Sequence, residues 1–443
     1  MAQSSARSLA SLLKSDFIRE YGMIFVLLLL CAGFSLKIDK QFPGGASAGR
    51  DVAAAILNEN GSPPNVIVIA GGTGEDLEFT TAARERLEQG GATVLGVVNG
   101  DAIAARAALQ ELSQDGKSID AIAATVVAAR WSIYDPSPGR DKIVSPQPYY
   151  WPDFLKLSNL LSVANQTAIY AIVAIGMTMV IITAGIDLSV GSLIALASVC
   201  TATFIRNYGG GSDAGLFMLL VGCGVGIGIC ALSGAFVGTM VTWFRLPAFI
   251  VTLAMMLIAR GLAQRISEGR PIDEVPATIK WLVNENTLGL PNAVWLMGIL
   301  YVAAHVVMTH TVFGRHIYAI GGNAEAARLS GIRVERVLIA VYTISGALAG
   351  LGGILLTSRF KGANHTYGEM AELEVIAAVV VGGASLMGGQ GRIFGTLIGA
   401  FIIAVINNGM NMLEVQSSNQ RIVLGTLLLI AVLLDTLKRR SAS

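Results

Sequence analysis

Apolar residues along this chain fall into blocks about 20 residues long, the length of helix needed to cross about 30 Å of hydrocarbon. The blocks predict about ten membrane spans, near 21–36, 159–184, 188–205, 216–242, 248–266, 293–309, 336–357, 373–388, 394–411 and 422–437. Composition agrees, because 53% of the 443 residues are hydrophobic and 14% are charged, against about 25% charged in an ordinary soluble domain. The sequence therefore predicts an all-α polytopic membrane protein.

The distribution of lysine and arginine predicts the orientation of the chain. An even number of spans places both termini on one side of the membrane, and basic residues are enriched on the cytoplasmic side. Both tails are basic, through Arg7, Lys14, Arg19, Lys438, Arg439 and Arg440. A basic cluster between spans five and six fits this orientation less well. We expect both termini in the cytoplasm, with residues 1–37 forming a tail and the first span.

Residues 38–152 interrupt the series of spans and are polar enough to lie outside the membrane. Three short apolar runs, "NVIVIAGG" (65–72), "TVLGVVNGD" (93–101) and "DAIAATVVA" (120–128), predict strands. Helical stripes separate them, at Phe79, Ala82, Ala83 and Leu87, and at Ala105, Ala108, Leu109 and Leu112. The sequence predicts a small inserted βαβαβ unit at about 58–130. It would lie on the periplasmic side, with residues 153–443 as the transmembrane domain.

Polar residues inside the apolar blocks are the first candidate site. Asp187 lies in "TAGIDLSVGSLIA" (183–195). It can cap the third span near the cytoplasmic interface by accepting a bond from the N–H of Ser189 or Val190. Alternatively it lines a transport pathway, since charges within a membrane mark such paths. Asn165, Gln166 and Thr167 in the second span either bond neighbouring helices or face the same pathway together with Asp187 and Ser189.

Small residues indicate close packing of helices. Glycines recur at GxxxG spacing on three apolar blocks, at Gly224/Gly228, Gly234/Gly238 and Gly346/Gly350. Such pairs allow two helix backbones to approach closely. They serve either the bundle of one chain or contact between two copies. The four cysteines all lie in apolar blocks and are interpreted as core residues, with no metal site or disulfide framework.

Several stretches of residues 155–438 resemble, in unbroken order, the membrane subunits of ribose-type ABC sugar importers. They are "NLLSVANQTAIYAIVAIGMTMVIITAGIDLSVGSLIALASV", "LPAFIVTLAMMLIARGLA", "GRHIYAIGGNAEAARLSGI", "EVIAAVVVGGASLMGGQGRIFGTLIGA" and "INNGMNML". The resemblance implies a permease that pairs as a homodimer and contacts membrane lipid, in the bacterial inner membrane. It implies import of a ribose-like pentose or hexose delivered by a periplasmic sugar-binding protein, and no nucleic acid partner.

The stretch "EAARLSG" (325–331) resembles the signature through which importer permeases dock on a cytoplasmic ABC ATPase. The resemblance assigns this role, within a coupling loop at 310–335, to Glu325, Ala326, Ala327, Arg328 and Gly331. Gly331 can end the helix in the left-handed conformation. ATP and Mg²⁺ would be bound by the partner. This chain has no phosphate loop at "GKS" (116–118), because Glu111 stands where such a loop needs glycine.

The inserted unit itself resembles part of one lobe of a periplasmic sugar-binding protein, through "EDLEFTTAARERLEQGGATVLGVVNGDAIAARAALQELSQDGKSIDAIAATVV". Docking of a separate receptor, weak sensing of sugar, and a spacer without ligand are three alternatives for its role. For the whole chain we expect a sugar permease without enzymatic activity of its own. The alternatives are an importer of a nucleoside or autoinducer and a sensor-like membrane protein that has lost transport.

Overall fold

The computed structural model describes residues 16–37, 40–41, 44–59, 63–134, 140–146, 149–150, 153–413 and 415–440. Part of the predicted cytoplasmic tail, residues 1–15 with Arg7 and Lys14, lies outside this range. The chain divides into two compact units. Unit 1 combines Met1–Lys37 with Phe154–Ser443, and unit 2 is Ile38–Asp153.

The elements follow one another in a helix-rich order broken by a short sheet. In chain order they are α1 (Asp16–Lys37), β1 (Lys40–Gln41), α2 (Gly45–Glu59), β2 (Asn65–Ala70), α3 (Gly74–Gln89), β3 (Thr93–Asn99), α4 (Ala102–Gln114), β4 (Ala121–Ala124), α5 (Val126–Ala129), β5 (Ile143–Val144), β6 (Tyr149–Tyr150), α6 (Leu157–Ile182), α7 (Val190–Tyr208), α8 (Leu216–Trp243), α9 (Ala248–Ile266), β7 (Asn286–Thr287), β8 (Leu290–Pro291), α10 (Asn292–His310), α11 (Val312–Gly322), α12 (Ala324–Leu329), α13 (Val334–Phe360), α14 (Ala371–Val381), α15 (Ile393–Met412) and α16 (Ser417–Arg440). The protein is thus mostly helical, with a small parallel sheet.

Seven helices of the described chain, α6 to α10, α13 and α15, are long and apolar enough to cross a membrane. They confirm the predicted spans two to seven and nine. Helices α1 and α16 occupy the predicted first and last spans. Their described apolar stretches, Met23–Ser35 and Ser417–Leu433, are shorter than a full span, so the total of ten stays a prediction.

The predicted span at 373–388 is not one continuous helix. Helix α14 has 11 residues, which rise about 16 Å, roughly half of the hydrocarbon thickness. It follows the non-helical segment 361–370, and Met370 at its start has a φ of 65°. After Val381 the chain turns through Gly382 and Gly383, and Gly383 has a φ of 87°. The apolar run continues past this turn, which is why hydropathy alone predicted a full span there.

Helix α13 lies at the centre of unit 1 and packs against α6, α7 and α8. Glycines bring α8 and α13 together, since a Cβ on Gly234 would overlap the carbonyl of Tyr342 and one on Gly346 would overlap that of Cys230. A buried hydroxyl pair ties α7 to α13, with Ser198 Oγ 2.7 Å from Thr357 Oγ1. Close approach and buried hydroxyl pairs are the usual contacts between helices in lipid.

Unit 2 contains the predicted strand-helix-strand-helix-strand series and extends beyond it. The sheet has the order β3-β2-β4-β5, and all its pairs are parallel. Strand β2 lies inside the sheet, with Val66, Val68 and Ala70 in the apolar cluster of α2 and α3, and Ile67 and Ile69 in that of α4. Helices on both faces therefore cover the sheet.

The predicted limits of the α/β unit, 58–130, are too narrow. Helix α2 contributes Ala48, Val52, Ala53 and Ile56 to the core, and β5 adds a fourth strand beside β4. The small residues of α2 gave no strong apolar stripe, and β5 has only two residues, so neither stood out in the sequence. Strands β1 and β6 pair Lys40 with Tyr150 and bring the two ends of the unit together.

Candidate functional site

The non-helical segment 183–189, between α6 and α7, carries Asp187, a residue with only 2% of its surface exposed. Its Oδ1 accepts hydrogen bonds from the backbone N–H of Ser189 at 3.0 Å and from the Ser189 hydroxyl at 2.6 Å. Its Oδ2 accepts one from the Ser345 hydroxyl at 3.0 Å. The predicted bond from the Ser189 N–H is present, but Ser189 holds the N-cap position of α7, so Asp187 lies two residues before the cap.

Asp187 lies deep among the helices of unit 1, and its expected position near the cytoplasmic interface stays a prediction. Its partner Ser345 is 11 residues past Val334, the start of α13. At 1.5 Å per residue this is about 17 Å along a helix of about 40 Å. The reason is the length of α7, which at 19 residues against 26 in α6 is about 10 Å shorter. The chain turns back through Ala184, whose φ is 61°, before α7 begins.

The three polar residues predicted in α6 have different surroundings. Asn165 donates a hydrogen bond of 3.1 Å to the carbonyl of Val283, which ties α6 to the connection before α10. The Thr167 hydroxyl donates at 2.6 Å to the carbonyl of Val163 in its own helix. Gln166 and Thr167 both line a small cavity between α6, α14 and α15. Asn165 thus fits the helix-bonding alternative, and Gln166 fits the pathway alternative.

The cavity is completed by side chains that sequence reasoning missed. Besides Gln166 and Thr167, its polar lining consists of Tyr170, Glu374 and Asn407. The Asn407 side chain hydrogen-bonds the Glu374 carboxylate, while the buried Asn407 Oδ1 has no partner among the described residues. The sequence did carry a signal, because Glu374 and Asn407 are polar residues inside predicted spans, as Asn165 is.

A second non-helical segment, 361–370, lies against the start of α7. Arg260 of α9 holds it, donating through Nη1 to the carbonyls of His365 at 2.6 Å and Tyr367 at 2.9 Å. A Cβ on Gly191 would overlap both the carbonyl oxygen of Gly368 and the carboxylate of Glu372. The beginnings of α7 and α14 therefore meet at close range, and the partly buried charged residues Arg260 and Glu372 lie there.

The predicted coupling loop, 310–335, forms the two short helices α11 and α12. Asn323 caps α12 by accepting a bond of 3.0 Å from the N–H of Ala326. Ala327 is buried, whereas Leu329 is 89% exposed. Gly331 has a φ of 84°, the left-handed conformation expected of it. Helix α12 therefore presents an apolar tip that the short signature did not single out.

Arg328 connects α12 to α13. Its guanidinium lies 2.7 Å from Glu325 and 3.0 Å from Glu335. The Glu325 side chain is 77% exposed and Ala326 is exposed beside it. The pair of ion contacts is solvated, so it adds little to stability and orients α12 instead.

Three stretches of backbone meet where α6 ends. A Cβ on Gly321, in α11, would overlap the carbonyl oxygen of Ile182, the last residue of α6. The same carbonyl accepts a hydrogen bond of 2.8 Å from the N–H of Gly389. This junction of Gly321, Ile182 and Gly389 connects the loop of α11 and α12 to the segment that carries Asp187.

A bundle of apolar helices with two non-helical interruptions, one of which carries the buried Asp187, is typical of membrane transporters. The family model described as "Branched-chain amino acid transport system / permease component" matches residues 159–432, more than half of the chain. The chain belongs to this family.

Individual relatives are named for sugars. Ribose import permease protein RbsC of Escherichia coli (strain K12) is 44% identical over 292 residues, covering 65% of this chain and 88% of that protein. The protein of the same name in Bacillus subtilis (strain 168) is 44% identical over 289 residues, covering 65% and 87%. Xylose transport system permease protein XylH of Escherichia coli (strain K12) is 35% identical over 351 residues, with the same coverage. No solved structure matches the chain.

Proposed function

We propose that the chain is the membrane subunit of an ATP-driven ABC importer that moves a monosaccharide across the bacterial inner membrane. The observation that carries the proposal is its 44% identity to a ribose import permease over 292 residues. The site fits this use, because the cavity between α6, α14 and α15 combines a carboxylate, amides and a tyrosine. These are groups that hydrogen-bond sugar hydroxyls.

We propose that the chain crosses the membrane ten times, with both termini in the cytoplasm. Seven full helices are joined by α1, by α16, and by a crossing made from segment 361–370 together with α14. This crossing starts at Lys361, beside the end of α13, and reaches Gly389, which bonds the end of α6. The even number keeps the two basic tails on one side and places unit 2 on the periplasmic side.

The proposed partners are a cytoplasmic ABC ATPase, which binds ATP and Mg²⁺, a periplasmic sugar-binding protein, and a second copy of this permease. The ATPase docks on α12, where exposed Leu329 enters an apolar depression and Glu325 meets a basic side chain. Closure of the ATPase moves α11 and α12. The junction of Gly321, Ile182 and Gly389 passes this movement to segment 183–189, because close-packed interiors have low compressibility and transmit strain.

Reconstitution of the permease with its ATPase and binding protein tests the transport function. ATP-dependent uptake of D-ribose or D-xylose into proteoliposomes is the expected result. Uptake of a nucleoside or an autoinducer, with neither sugar transported, would show that the substrate is not a monosaccharide. Absence of uptake, together with binding of ligand to unit 2, would favour the sensor-like alternative.

Docking is tested separately by co-purification of the ATPase. Leu329→Asp and Glu325→Lys should each lower recovery of the ATPase at least about tenfold, since a central apolar contact or a charge pair is lost. Glu285→Lys makes the same charge reversal at an exposed residue outside the coupling loop and should recover the ATPase normally. Normal recovery with both α12 variants would mean that the ATPase docks elsewhere.

A further inference from the structure

We propose that the cavity lined by Gln166, Thr167, Tyr170, Glu374 and Asn407, called here the polar cavity, is a binding station on the substrate path, selective for neutral molecules with neighbouring hydroxyl groups. This inference rests on the proposed function. It assigns selectivity to Glu374 and Asn407, on α14 and α15.

The placement of Glu374 is the first argument. Glu374, on α14, is partly exposed, and so are Gln166 and Tyr170 on α6 and Asn407 on α15. A carboxylate turned towards lipid costs several kcal/mol, and ionisable groups inside membranes almost always face a bundle interior or a water-filled cavity. A polar face formed by three different helices therefore lines an aqueous route.

The hydrogen-bonding groups define the chemistry of the ligand. The buried Asn407 Oδ1 has no partner among the described residues, and Glu374 retains acceptor capacity beyond its bond from Asn407. Two adjacent acceptors suit two neighbouring hydroxyls, both of which donate. The Gln166 amide and the Tyr170 hydroxyl can donate in return, and the Tyr170 ring offers an apolar surface for the C–H groups of a sugar.

The charge of the polar cavity excludes other classes of solute. Its lining contains no lysine or arginine, and Arg359 acts on Tyr170 electrostatically from outside that lining. A phosphate or carboxylate group would therefore meet Glu374 without a cation to neutralise it. Sugar phosphates and sugar acids are rejected for this reason.

The cavity is too small for a sugar in the present conformation and has a structural means of enlarging. Its volume is about 30 Å³, enough for one or two waters and too small for a monosaccharide. One wall is α14, which is 11 residues long and lies between Gly368, with a φ of 68°, and Gly383, with a φ of 87°. Ala378, Ala400 and Ala404 leave space behind the polar groups. Displacement of this short helix enlarges the site.

Coupled transport by the reconstituted complex is the first test. Glu374→Gln should reduce D-ribose transported per ATP hydrolysed about tenfold, since a hydrogen bond to a charged group is lost, while stimulated ATP hydrolysis continues. It should also reduce the preference for D-ribose over 2-deoxy-D-ribose. Glu369→Gln removes the same charge at an exposed residue before α14 and should leave both ratios unchanged. Unchanged ratios in Glu374→Gln would overturn the inference.

Thiol labelling tests the station without requiring sugar transport. In a chain with its four cysteines replaced by alanine, Asn407→Cys should react with a cationic, membrane-impermeant maleimide. Labelling should change between nucleotide-free and ATP-bound complexes. Leu429→Cys, on the exposed apolar face of α16, should stay unlabelled. Absence of labelling at position 407 in both states would overturn the station even if D-ribose is transported, whereas labelling without transport of D-ribose or D-xylose would contradict only the proposed function.

Discussion

The hydroxyl of Ser345 donates a hydrogen bond of 3.0 Å to the carboxylate of Asp187, although the two residues lie 158 positions apart in the chain. This bond ties the middle of α13 to the break between α6 and α7. The Ser189 N–H and hydroxyl bond the other carboxylate oxygen. Asp187 therefore holds two parts of the bundle together, in addition to ordering the start of α7.

The first prediction concerns Asp187. Asp187→Asn keeps an oxygen for Ser189, and the Ser345 hydroxyl can rotate to accept from the new amide, so folded yield should stay near that of the natural chain. Asp187→Leu leaves three buried donors without acceptors, each costing about 1–3 kcal/mol, and should lower yield and melting temperature strongly. Detergent-solubilised protein measured by size exclusion and thermal unfolding distinguishes them. A normal yield with leucine would contradict the structural role, whereas loss of transport in a stable asparagine variant would favour a pathway role.

The second prediction concerns the junction at the end of α6. Gly321→Ala places a methyl group on the carbonyl oxygen of Ile182, and relief of this overlap must shift α11 or α6. The neighbouring Gly322→Ala has nothing within 4 Å of its new methyl group and is the matched control. Gly321→Ala should abolish ATP-coupled transport, while Gly322→Ala should retain it. Equal transport by the two variants would show that this contact does not transmit movement from the coupling helices.

The third prediction concerns the glycine pairs. Gly234→Ala would overlap the Tyr342 carbonyl and should cost about 3 kcal/mol, at the upper end for overpacking. Gly224→Ala, on the same helix α8, has nothing within 4 Å and should be neutral or slightly stabilising, because alanine is favoured over glycine in helices. Thermal unfolding of both variants measures the difference. Similar destabilisation at both positions would mean that Gly224 packs against a neighbour outside this chain.

Hydropathy predicted most of unit 1 because long, uniformly apolar helices leave a strong pattern. Its failure at 373–388 has a local cause, since the turn at Gly382 and Gly383 lies within apolar sequence and a two-residue turn barely lowers the average. The depth of Asp187 was also beyond the sequence alone. Whether a break between two spans lies at an interface or inside the bundle depends on where α7 packs. Gly353 and Gly368 allow close packing of α7, since both lie against Ile194 of that helix.

Polar residues inside predicted spans were the useful signal for the site, but only some of them were identified as candidates. Gln166 was singled out because its span is otherwise apolar. Glu374 and Asn407 satisfy the same criterion but lie more than 200 positions further along the chain. Their convergence with α6 depends on tertiary packing that no local pattern contains. The exposed tip at Leu329 was not predicted for a similar reason, because a leucine in a sequence is normally expected to be buried.

The last prediction concerns unit 2 as an isolated fragment. Residues 38–153 should fold on their own, because the fragment keeps α2, β5 and the β1–β6 pair that joins its ends. The shorter fragment 58–130 should remain unfolded, since it loses Ala48, Val52, Ala53 and Ile56 from the core. Circular dichroism and thermal unfolding of the two fragments provide the comparison. A cooperative transition in the shorter fragment would show that α2 is dispensable.

The folded fragment should also bind no monosaccharide tightly. Ligands of open α/β sheets sit beyond the carboxyl ends of the strands, and two carboxylates there already accept hydrogen bonds from the chain. Asp101 accepts from the N–H groups of Ile103 and Ala104, and Asp76 accepts from the N–H and hydroxyl of Thr73. One lobe also leaves much of a sugar in water, whereas tight sites bury most of their ligand. Calorimetry with D-ribose, D-xylose and D-glucose should detect no binding below millimolar concentrations. A micromolar affinity for any of them would make sugar sensing the role of this unit, in place of docking or spacing.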